Sequence, residues 1–336
     1  MKKFGFLLII LIVLSVIWYK WQLLSLSNNS GAMSFTVKAG QSKSEIASAL
    51  KKENLISSSL AFQIHYLLVR SASIKAGEYV FEPKTKTTDL MRELQKGDNS
   101  SKEVSVLIRE GLSAKDINIY LKDNGFLNDD SFLNLVHTPL KNLPEDLKKY
   151  TWLNSLAKND NLEGFLFPDT YRLYRGFTAN DLVSKMLANL DKKLTPELLA
   201  AVNNSGHSFK EIMTMASILE KEVRSEEDMK IVSGIFWDRI ANGQALQSCA
   251  TLAFILGVNK KQYTYEDTQI NSLYNTYQHK GLPPSPISNP GLRSINAALY
   301  PIKTSYNYFL SRPDNGQTVF SSTLDQHNAA KAKYLK

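Results

Sequence analysis

Two glutamates at the end of an amphipathic segment are the residues of this sequence best suited to acid–base chemistry. Residues 208–223 begin with Ser208 and Glu211, which have the spacing of a helix capping box. Apolar residues follow at helical spacing, and Glu220 and Glu222 border the apolar face on opposite flanks. A desolvated carboxyl group has a raised pKa and can donate a proton near neutral pH. The pattern does not choose between the two glutamates, and solvated flank residues are the alternative interpretation.

The composition excludes several other kinds of site. The chain has one cysteine, so an intramolecular disulfide framework and a multi-cysteine zinc or iron–sulfur site are excluded. Its five histidines are scattered, and no metal or organic cofactor is indicated. A nucleophilic Cys249 assisted by His279 or His327 is an alternative, although a lone cysteine among apolar residues is more often a small buried side chain.

Length and charge limit the classes of protein and partner. The 336 residues correspond to two folded units at roughly 150 residues per domain. An apolar content of 43% excludes wholesale disorder. The net charge of +8 is compatible with an anionic polymer or lipid surface. No run of five basic residues and no zinc-finger or RNP-like pattern occurs, so a nucleic-acid partner is not expected.

The N-terminus predicts a membrane anchor. Residues 4–19 are uncharged and apolar, with lysines on both sides and Trp18 near the far end. This run is slightly shorter than the roughly 20 residues that span a bilayer. No small-x-small cleavage site directly follows, so residues 1–21 are predicted to be an uncleaved anchor rather than a signal peptide. The preceding lysines predict a cytoplasmic N-terminus, a short tether over residues 22–33 and an extracytoplasmic remainder.

A short pattern occurs twice in the first half of the chain. Residues 39–46 parallel residues 110–117, and alternating apolar residues precede each copy, as expected for a short strand. Each copy contains a glycine and then a Ser-x-x-acid sequence typical of a helix N-terminus. We therefore predict small strand–turn–helix modules over residues 34–160. They resemble LysM-like modules, which bind N-acetylated glycans, and a structural or docking module is the alternative.

The second half predicts a separate domain of mixed structure over residues 161–336. The periodicity and the turn residues predict helices over 181–190, 196–202, 208–223 and 225–241, a strand pair over 306–310 and 318–320, and a terminal helix from about 324. The predicted fold class is therefore α+β, with an anchor, small α/β modules and a mixed α+β catalytic domain.

Residues 215–222, Met-Ala-Ser-Ile-Leu-Glu-Lys-Glu, resemble the catalytic segment of the YceG-like family of membrane-anchored endolytic murein transglycosylases. Further segments agree with this family in order and spacing: 162–171, 274–277, 281–291, 308–309 and 327–328. The resemblance covers nearly the whole chain after the predicted anchor.

The resemblance implies that Glu220 is the catalytic acid of a lytic transglycosylase. Such an enzyme needs one carboxyl group, because no water is delivered. Glu220 would protonate the oxygen between N-acetylmuramic acid (MurNAc) and N-acetylglucosamine (GlcNAc). The carboxylate would then take the proton of the muramic C6 hydroxyl as that oxygen attacks C1. The product would carry a 1,6-anhydro end, and cleavage of nascent strands would end their elongation.

Five further residues are candidates for binding the sugar: Gln247, Asn275, Tyr277, Glu163 and Asn289. Amides and tyrosines suit N-acetylated sugars because they offer hydrogen-bond donors and flat apolar faces. For Glu163, a structural hydrogen bond or an exposed turn is the alternative interpretation.

The chain departs from the family at one place. The family commonly has Ser or Thr followed by Asp-Pro-Thr where this chain has Ser-Cys-Ala-Thr at 248–251, which puts a carboxylate role at Cys249 in doubt. The partners implied are peptidoglycan strands and membrane-bound peptidoglycan synthases. A non-catalytic, membrane-anchored scaffold that binds peptidoglycan is the alternative function.

Overall fold

The computed structural model describes residues 2–28, 33–38, 40–68, 73–97, 103–260 and 262–335. In chain order the elements are α1 (Lys2–Leu24), β1 (Met33–Val37), α2 (Lys43–Lys52), α3 (Ser59–Leu68), β2 (Gly77–Phe81), α4 (Thr87–Lys96), β3 (Glu103–Leu107), α5 (Ala114–Asp123), α6 (Ser131–Val136), β4 (Thr170–Tyr174), α7 (Ala179–Lys193), α8 (Pro196–Asn204), α9 (Phe209–Glu222), α10 (Glu226–Ala241), α11 (Cys249–Leu256), α12 (Tyr265–Thr268), α13 (Leu292–Leu299), β5 (Tyr308–Ser311), β6 (Thr318–Ser321) and α14 (Leu324–Tyr334). The strands pair as β1–β2, β3–β4 and β5–β6. This mixture of helices and short strand pairs confirms the predicted α+β class.

The smaller of two compact units comprises Met1–Val104 and Arg172–Phe177. In it, β1 and β2 pair antiparallel with Phe35 opposite Tyr79, α2 packs against α3, and α4 packs against β2. Its core consists of buried apolar side chains from these elements, among them Phe35, Leu50, Phe62, Phe81 and Leu90.

The larger unit comprises Ser105–Tyr171 and Thr178–Lys336, and α9 lies at its centre. Every residue from 212 to 219 of α9 is buried, and the helix packs against α8, α10, α11 and α13. The sequence predicts one apolar face for this helix, but neighbouring helices also cover its other sides. The final turn of α9 therefore continues a helix that its neighbours hold in place on several sides.

Each predicted module has its strand and its helix in the structure, β1 with α2 and β3 with α5. Ser42 with Glu45 and Ser113 with Asp116 both form complete capping boxes, at the starts of α2 and α5. The predicted strand–turn–helix order is thus confirmed in both copies, although residue 39 lies outside the described residues. The copies fall in different compact units, since α2 belongs to the smaller unit and α5 to the larger. Their LysM-like nature and the predicted boundary between 160 and 161 stay predictions.

The N-terminal segment forms the long helix α1, which includes residues 22–24 of the predicted tether. Residues 29–32 of that tether lie outside the described residues. Within the described ranges, no helix is both long enough and apolar enough to cross a lipid bilayer.

Candidate active site

Both candidate acids lie on the last turn of α9, and each contacts a different helix. A capping box of Ser208 and Glu211 begins α9. At the other end, Glu220 contacts the first residues of α13, whereas Glu222 contacts those of α11. Each carboxyl group therefore lies at a helix N-terminus, where backbone N–H groups have no partner inside their own helix.

Glu222 is desolvated and accepts hydrogen bonds from the start of α11. Its Oε1 accepts hydrogen bonds from Ser248 Oγ–H and, at 3.5 Å, from Ala250 N–H. Burial is the largest influence and raises the pKa of Glu222, while Ser248, Ala250 and the positive charge of Arg239 act in the opposite direction. A carboxyl group with a raised pKa retains its proton closer to neutral pH and can donate it to a substrate.

The loop that precedes α11 is held in place by several hydrogen bonds. Arg239 donates to Leu246 O at 2.6 Å and to Asn307 O at 2.7 Å. Gln247 N–H donates to Thr276 O at 3.0 Å, and the side chain of Gln247 is exposed. The φ angle of Gln247 is 53°, a left-handed conformation that costs about 1–2 kcal/mol for a residue other than glycine. Strain of this kind is concentrated at functional sites.

Tyr277 lies beside the same loop as a hydrogen-bonding group. Its Oη is 3.1 Å from Cys249 Sγ. Burial, with smaller contributions from Cys249 and Glu222, raises the pKa of Tyr277, so its hydroxyl group remains protonated at neutral pH. The hydroxyl group therefore keeps a proton that it can donate to Cys249 Sγ or, in place of Cys249, to a sugar or an N-acetyl group.

Cys249 is exposed, whereas a lone cysteine at this place was expected to be buried. Partial desolvation raises the pKa of the Cys249 thiol. Among the described residues, its hydrogen-bonding partner is Tyr277 rather than His279 or His327. A cysteine nucleophile needs an adjacent base or a lowered pKa, so the cysteine–histidine alternative gains no support.

Glu220 supplies a cap for α13. Its Oε2 accepts hydrogen bonds from Gly291 N–H at 3.0 Å and from Ser294 Oγ–H at 2.8 Å. Gly291 is the N-cap residue of α13 and has no side chain to serve this purpose. A Cβ atom at Gly291 would lie 2.0 Å from Glu110 Oε1, so a second carboxyl group approaches the same helix end. These contacts position α13 against α9.

Asn275 and Asn289, both predicted to bind sugar, are fully buried. The amide of Asn275 donates to two carbonyl groups of its own loop and accepts from Tyr277 N–H at 3.0 Å. The amide of Asn289 accepts from Leu166 N–H and donates to Leu112 O, both at 2.9 Å. Both side chains hold loops together and have no exposed surface with which to contact a sugar.

Glu163 is also buried, with 3% of its surface exposed. Its Oε1 accepts from Ala114 N–H at 2.9 Å, and its Oε2 lies 3.3 Å from His137 Nε2. Because Ala114 is the first residue of α5, Glu163 stabilises the start of that helix. This geometry favours the structural interpretation of Glu163. Within the described part of the chain, no cluster of three or more His, Cys, Asp or Glu residues is arranged to hold a metal ion.

Comparison with known proteins identifies the family to which this site belongs. A sequence profile of the YceG-like family matches residues 35–333. The chain belongs to the YceG-like family. That match includes α9, the loop before α11 and the start of α13, so it covers both candidate acids.

Related proteins and a related structure agree with this YceG-like assignment. The chain is 30% identical over 312 residues to the endolytic murein transglycosylase of Bacillus subtilis (strain 168), a match that covers 90% of this chain and 85% of the relative. It is 28% identical over 329 residues to the endolytic murein transglycosylase of Streptococcus pneumoniae serotype 2 (strain D39 / NCTC 7466), covering 92% of this chain but 59% of that protein. A crystal structure of a yceG-like protein from Listeria monocytogenes superposes with a TM-score of 0.60 at 30% identity, covering 90% of this chain and all of that one.

Sequence reasoning about this YceG-like chain missed several residues of the site. Ser248 was quoted only as part of a departure from the family pattern, yet it donates to Glu222. Its position before the apolar run 249–256, which Gly257 ends, is a helix start and stop signal that could have predicted α11. Arg239 and Ser294 carry no comparable signal, because their roles depend on contacts 7 to 74 residues away along the chain.

Proposed function

We propose that this chain is an endolytic murein transglycosylase. It cleaves the MurNAc–GlcNAc bond of nascent glycan strands without water, leaves 1,6-anhydroMurNAc ends and so terminates strand elongation. The names of the Bacillus and Streptococcus relatives support the reaction and its substrate. The observation that carries the proposal is the place of the Glu222 carboxyl group at the end of α9, where it is desolvated and accepts a hydrogen bond from Ser248 in the loop before α11.

Glu222 performs both proton transfers in this proposal. Its protonated carboxyl group gives a proton to the glycosidic oxygen, and the bond from muramic C1 to that oxygen breaks. The resulting carboxylate takes the proton of the C6 hydroxyl group as O6 forms the new bond to C1. The proton count is unchanged and no water is consumed, so one carboxyl group is sufficient.

The neighbouring side chains have supporting roles. The Tyr277 hydroxyl group and the exposed Gln247 amide stabilise the charged transition state and bind the N-acetyl groups. The resemblance to the family implied Glu220 as the acid, but its contacts with Gly291 and Ser294 favour a positioning role at α13. The assignment of Glu220 stays a prediction, and the following variants decide it.

The test compares Glu222→Gln, Glu220→Gln and a control, Glu227→Gln, which changes an exposed residue of α10. Each variant is incubated with purified glycan strands, and the products are analysed by mass spectrometry. We expect the loss of one general acid to slow cleavage at least 10²-fold in Glu222→Gln. Glu220→Gln should lose less activity, and Glu227→Gln should match the parent protein.

Two other results would change the proposal. Full activity in Glu222→Gln with none in Glu220→Gln would assign the acid to Glu220. If the parent protein binds strands but releases no anhydro-ended fragments, the non-catalytic scaffold is the correct function. Fragments with ordinary reducing ends that contain oxygen-18 from labelled water would show hydrolysis instead.

We also propose that α1 anchors the protein in the cytoplasmic membrane, with the N-terminus in the cytoplasm and the chain after α1 outside. The apolar run 4–19 supports this, as do the large apolar side chains that α1 exposes, such as Leu14, Ile17 and Trp21. Carbonate-washed membranes should retain the protein, and a protease added to spheroplasts should digest its C-terminal part. Release by carbonate, or protection from the protease, would contradict this placement.

Two finer proposals follow from the same resemblance. The strand–turn–helix modules are LysM-like and bind the glycan, and the protein associates with membrane-bound peptidoglycan synthases. Sedimentation of Glu222→Gln with insoluble peptidoglycan tests the first, and crosslinking in membranes followed by mass spectrometry tests the second. The absence of co-sedimentation, or of any crosslinked synthase, would contradict the respective proposal.

A further inference from the structure

A cavity of about 210 Å³ in the larger unit is used by none of the steps proposed above. Apolar side chains, including Ala253, Phe254 and Ile287, form part of its lining. Charged side chains, including Lys115 and Lys221, form another part. A concave site that combines apolar walls with a few polar groups is typical of a pocket that binds an amphipathic ligand.

The cavity adjoins the proposed proton donor through α11. Ala250 lines the cavity, and its N–H group lies 3.5 Å from Glu222 Oε1. Lys221, which also lines the cavity, is the residue before Glu222 on α9. The cavity and the surroundings of Glu222 therefore share Ala250.

Two ammonium groups at the cavity have unused hydrogen-bonding capacity. Lys221 Nζ donates to Gly111 O at 3.0 Å and keeps two further N–H groups. Lys115 Nζ has no hydrogen-bonding or ion-pair partner among the residues that the structure describes. A Cβ atom at Gly257 would lie 2.8 Å from Lys115 Nζ, so this glycine makes room for the ammonium group at the C-terminal end of α11. The helix dipole favours a cation there.

The carboxylates that line the cavity are engaged with other groups. Asp116 accepts from the N–H of Ser113 at 3.0 Å and from its Oγ–H at 2.7 Å. Glu163 accepts from Ala114 N–H and contacts His137. Among the described residues, neither carboxylate forms an ion pair with Lys115 or Lys221. The lysines are therefore available to an anionic ligand.

We propose that this cavity binds the peptide stem of the muramic acid residue whose bond is cleaved. A stem carboxylate accepts charge-assisted hydrogen bonds from Lys115 and Lys221, while stem alkyl groups pack against Phe254 and Ile287. The inference rests on the proposed function, because murein is a glycan whose muramic acid residues carry short peptides with free carboxylates. It gives the enzyme a preference for strands that retain their stems.

The test measures kcat/KM on two substrates, glycan strands with peptide stems and strands from which an amidase has removed them. Amidase treatment hydrolyses the amide bond between the lactyl group and the stem, which removes the stem and leaves a new lactyl carboxylate on each muramic acid. The ratio of the two values therefore compares the intact stem with this single carboxylate. Charge-assisted hydrogen bonds to a ligand predict a parental ratio of about tenfold in favour of stem-bearing strands. Lys115→Glu, which reverses the charge, and Ala253→Phe, which fills the cavity, should bring the ratio close to one. Lys115→Arg should restore most of it.

The control is Lys185→Glu, which makes the same charge change at an exposed position of α7 and should keep the parental ratio. The cavity proposal is overturned if both cavity variants fold and keep the ratio of the parent protein. It is also overturned if the parent protein itself has a ratio of one. If no glycan is cleaved by any variant, the proposed function fails instead. Titration calorimetry with a soluble muramyl peptide then tests the cavity alone, where binding weakened about tenfold by Lys115→Glu supports the proposal and unchanged binding overturns it.

Discussion

Glu220 and Glu222 lie two residues apart, but their surroundings give them different chemistry. Glu220 lies against a helix start and accepts two hydrogen bonds from it. Glu222 is desolvated, and the donors around it only partly compensate for that desolvation. The two carboxyl groups therefore differ in their neighbours although they lie on the same turn of α9.

The raised pKa of Glu222 predicts a pH dependence of stability. A folded-state pKa above the unfolded value means that the folded chain binds this proton more tightly. The contribution of Glu222 to stability is therefore present at low pH and is lost as the pH rises through the folded-state pKa. The side chain introduced by Glu222→Gln stays neutral at every pH. This variant should therefore lose less unfolding free energy than the parent as the pH rises above the ordinary glutamate pKa of 4.5 in urea titrations. Parallel curves for the two proteins would contradict the raised pKa.

Cys249 allows a second prediction at the residue scale, because it is the single cysteine of the chain. Its raised pKa lowers the thiolate fraction at neutral pH, so iodoacetamide should label the folded chain more slowly than the urea-unfolded chain. The hydrogen bond from Tyr277 lowers the pKa of Cys249, so Tyr277→Phe should slow labelling further. Faster labelling in the folded chain would show that the thiol is activated.

At the scale of the elements, local signals predicted most helices correctly. The predicted helices at 181–190 and 225–241 form as α7 and α10, and the strand pair near the C-terminus forms as β5–β6. The pairing of β5 with β6 is antiparallel. The short helices α11 and α13 were not predicted, because periodicity over eight residues does not separate a helix from a loop. For α11 the signal lies in its end residues Ser248 and Gly257 instead.

Gly164 lies close against Pro286, where two loops pack together near the site. Its φ angle is 80°, and an added Cβ would lie 2.1 Å from Pro286 Cβ. Backbone strain and overpacking together predict that Gly164→Ala lowers the unfolding free energy by about 3 kcal/mol. Gly206 is the matched control, with a φ angle of 78° and no atom within 4 Å of an added Cβ. Gly206→Ala should cost only about 1–2 kcal/mol in the same denaturation experiment. Equal losses would mean that the contact with Pro286 is unimportant.

At the scale of the whole molecule, each compact unit has its own buried apolar residues. Phe62 belongs to the core of the smaller unit, and Phe236 is buried in the larger one. Calorimetry should therefore resolve two unfolding transitions. Phe62→Ala and Phe236→Ala should each lower one transition, because truncation of a buried phenylalanine costs about 3–5 kcal/mol. A single transition that both variants shift equally would show that the two units unfold together.

The order of residues along the chain is enough to predict the α+β class, the capped starts of α2, α5 and α9, and the family to which the chain belongs. These follow from signals that lie within a few residues of each other, such as Ser208 with Glu211. Packing between distant segments desolvates Glu222 beside α11 and buries Asn275 and Asn289, which hold loops together. Helical periodicity places a side chain on a face, but the pKa of a carboxyl group depends on which distant residues cover that face and which donors they bring.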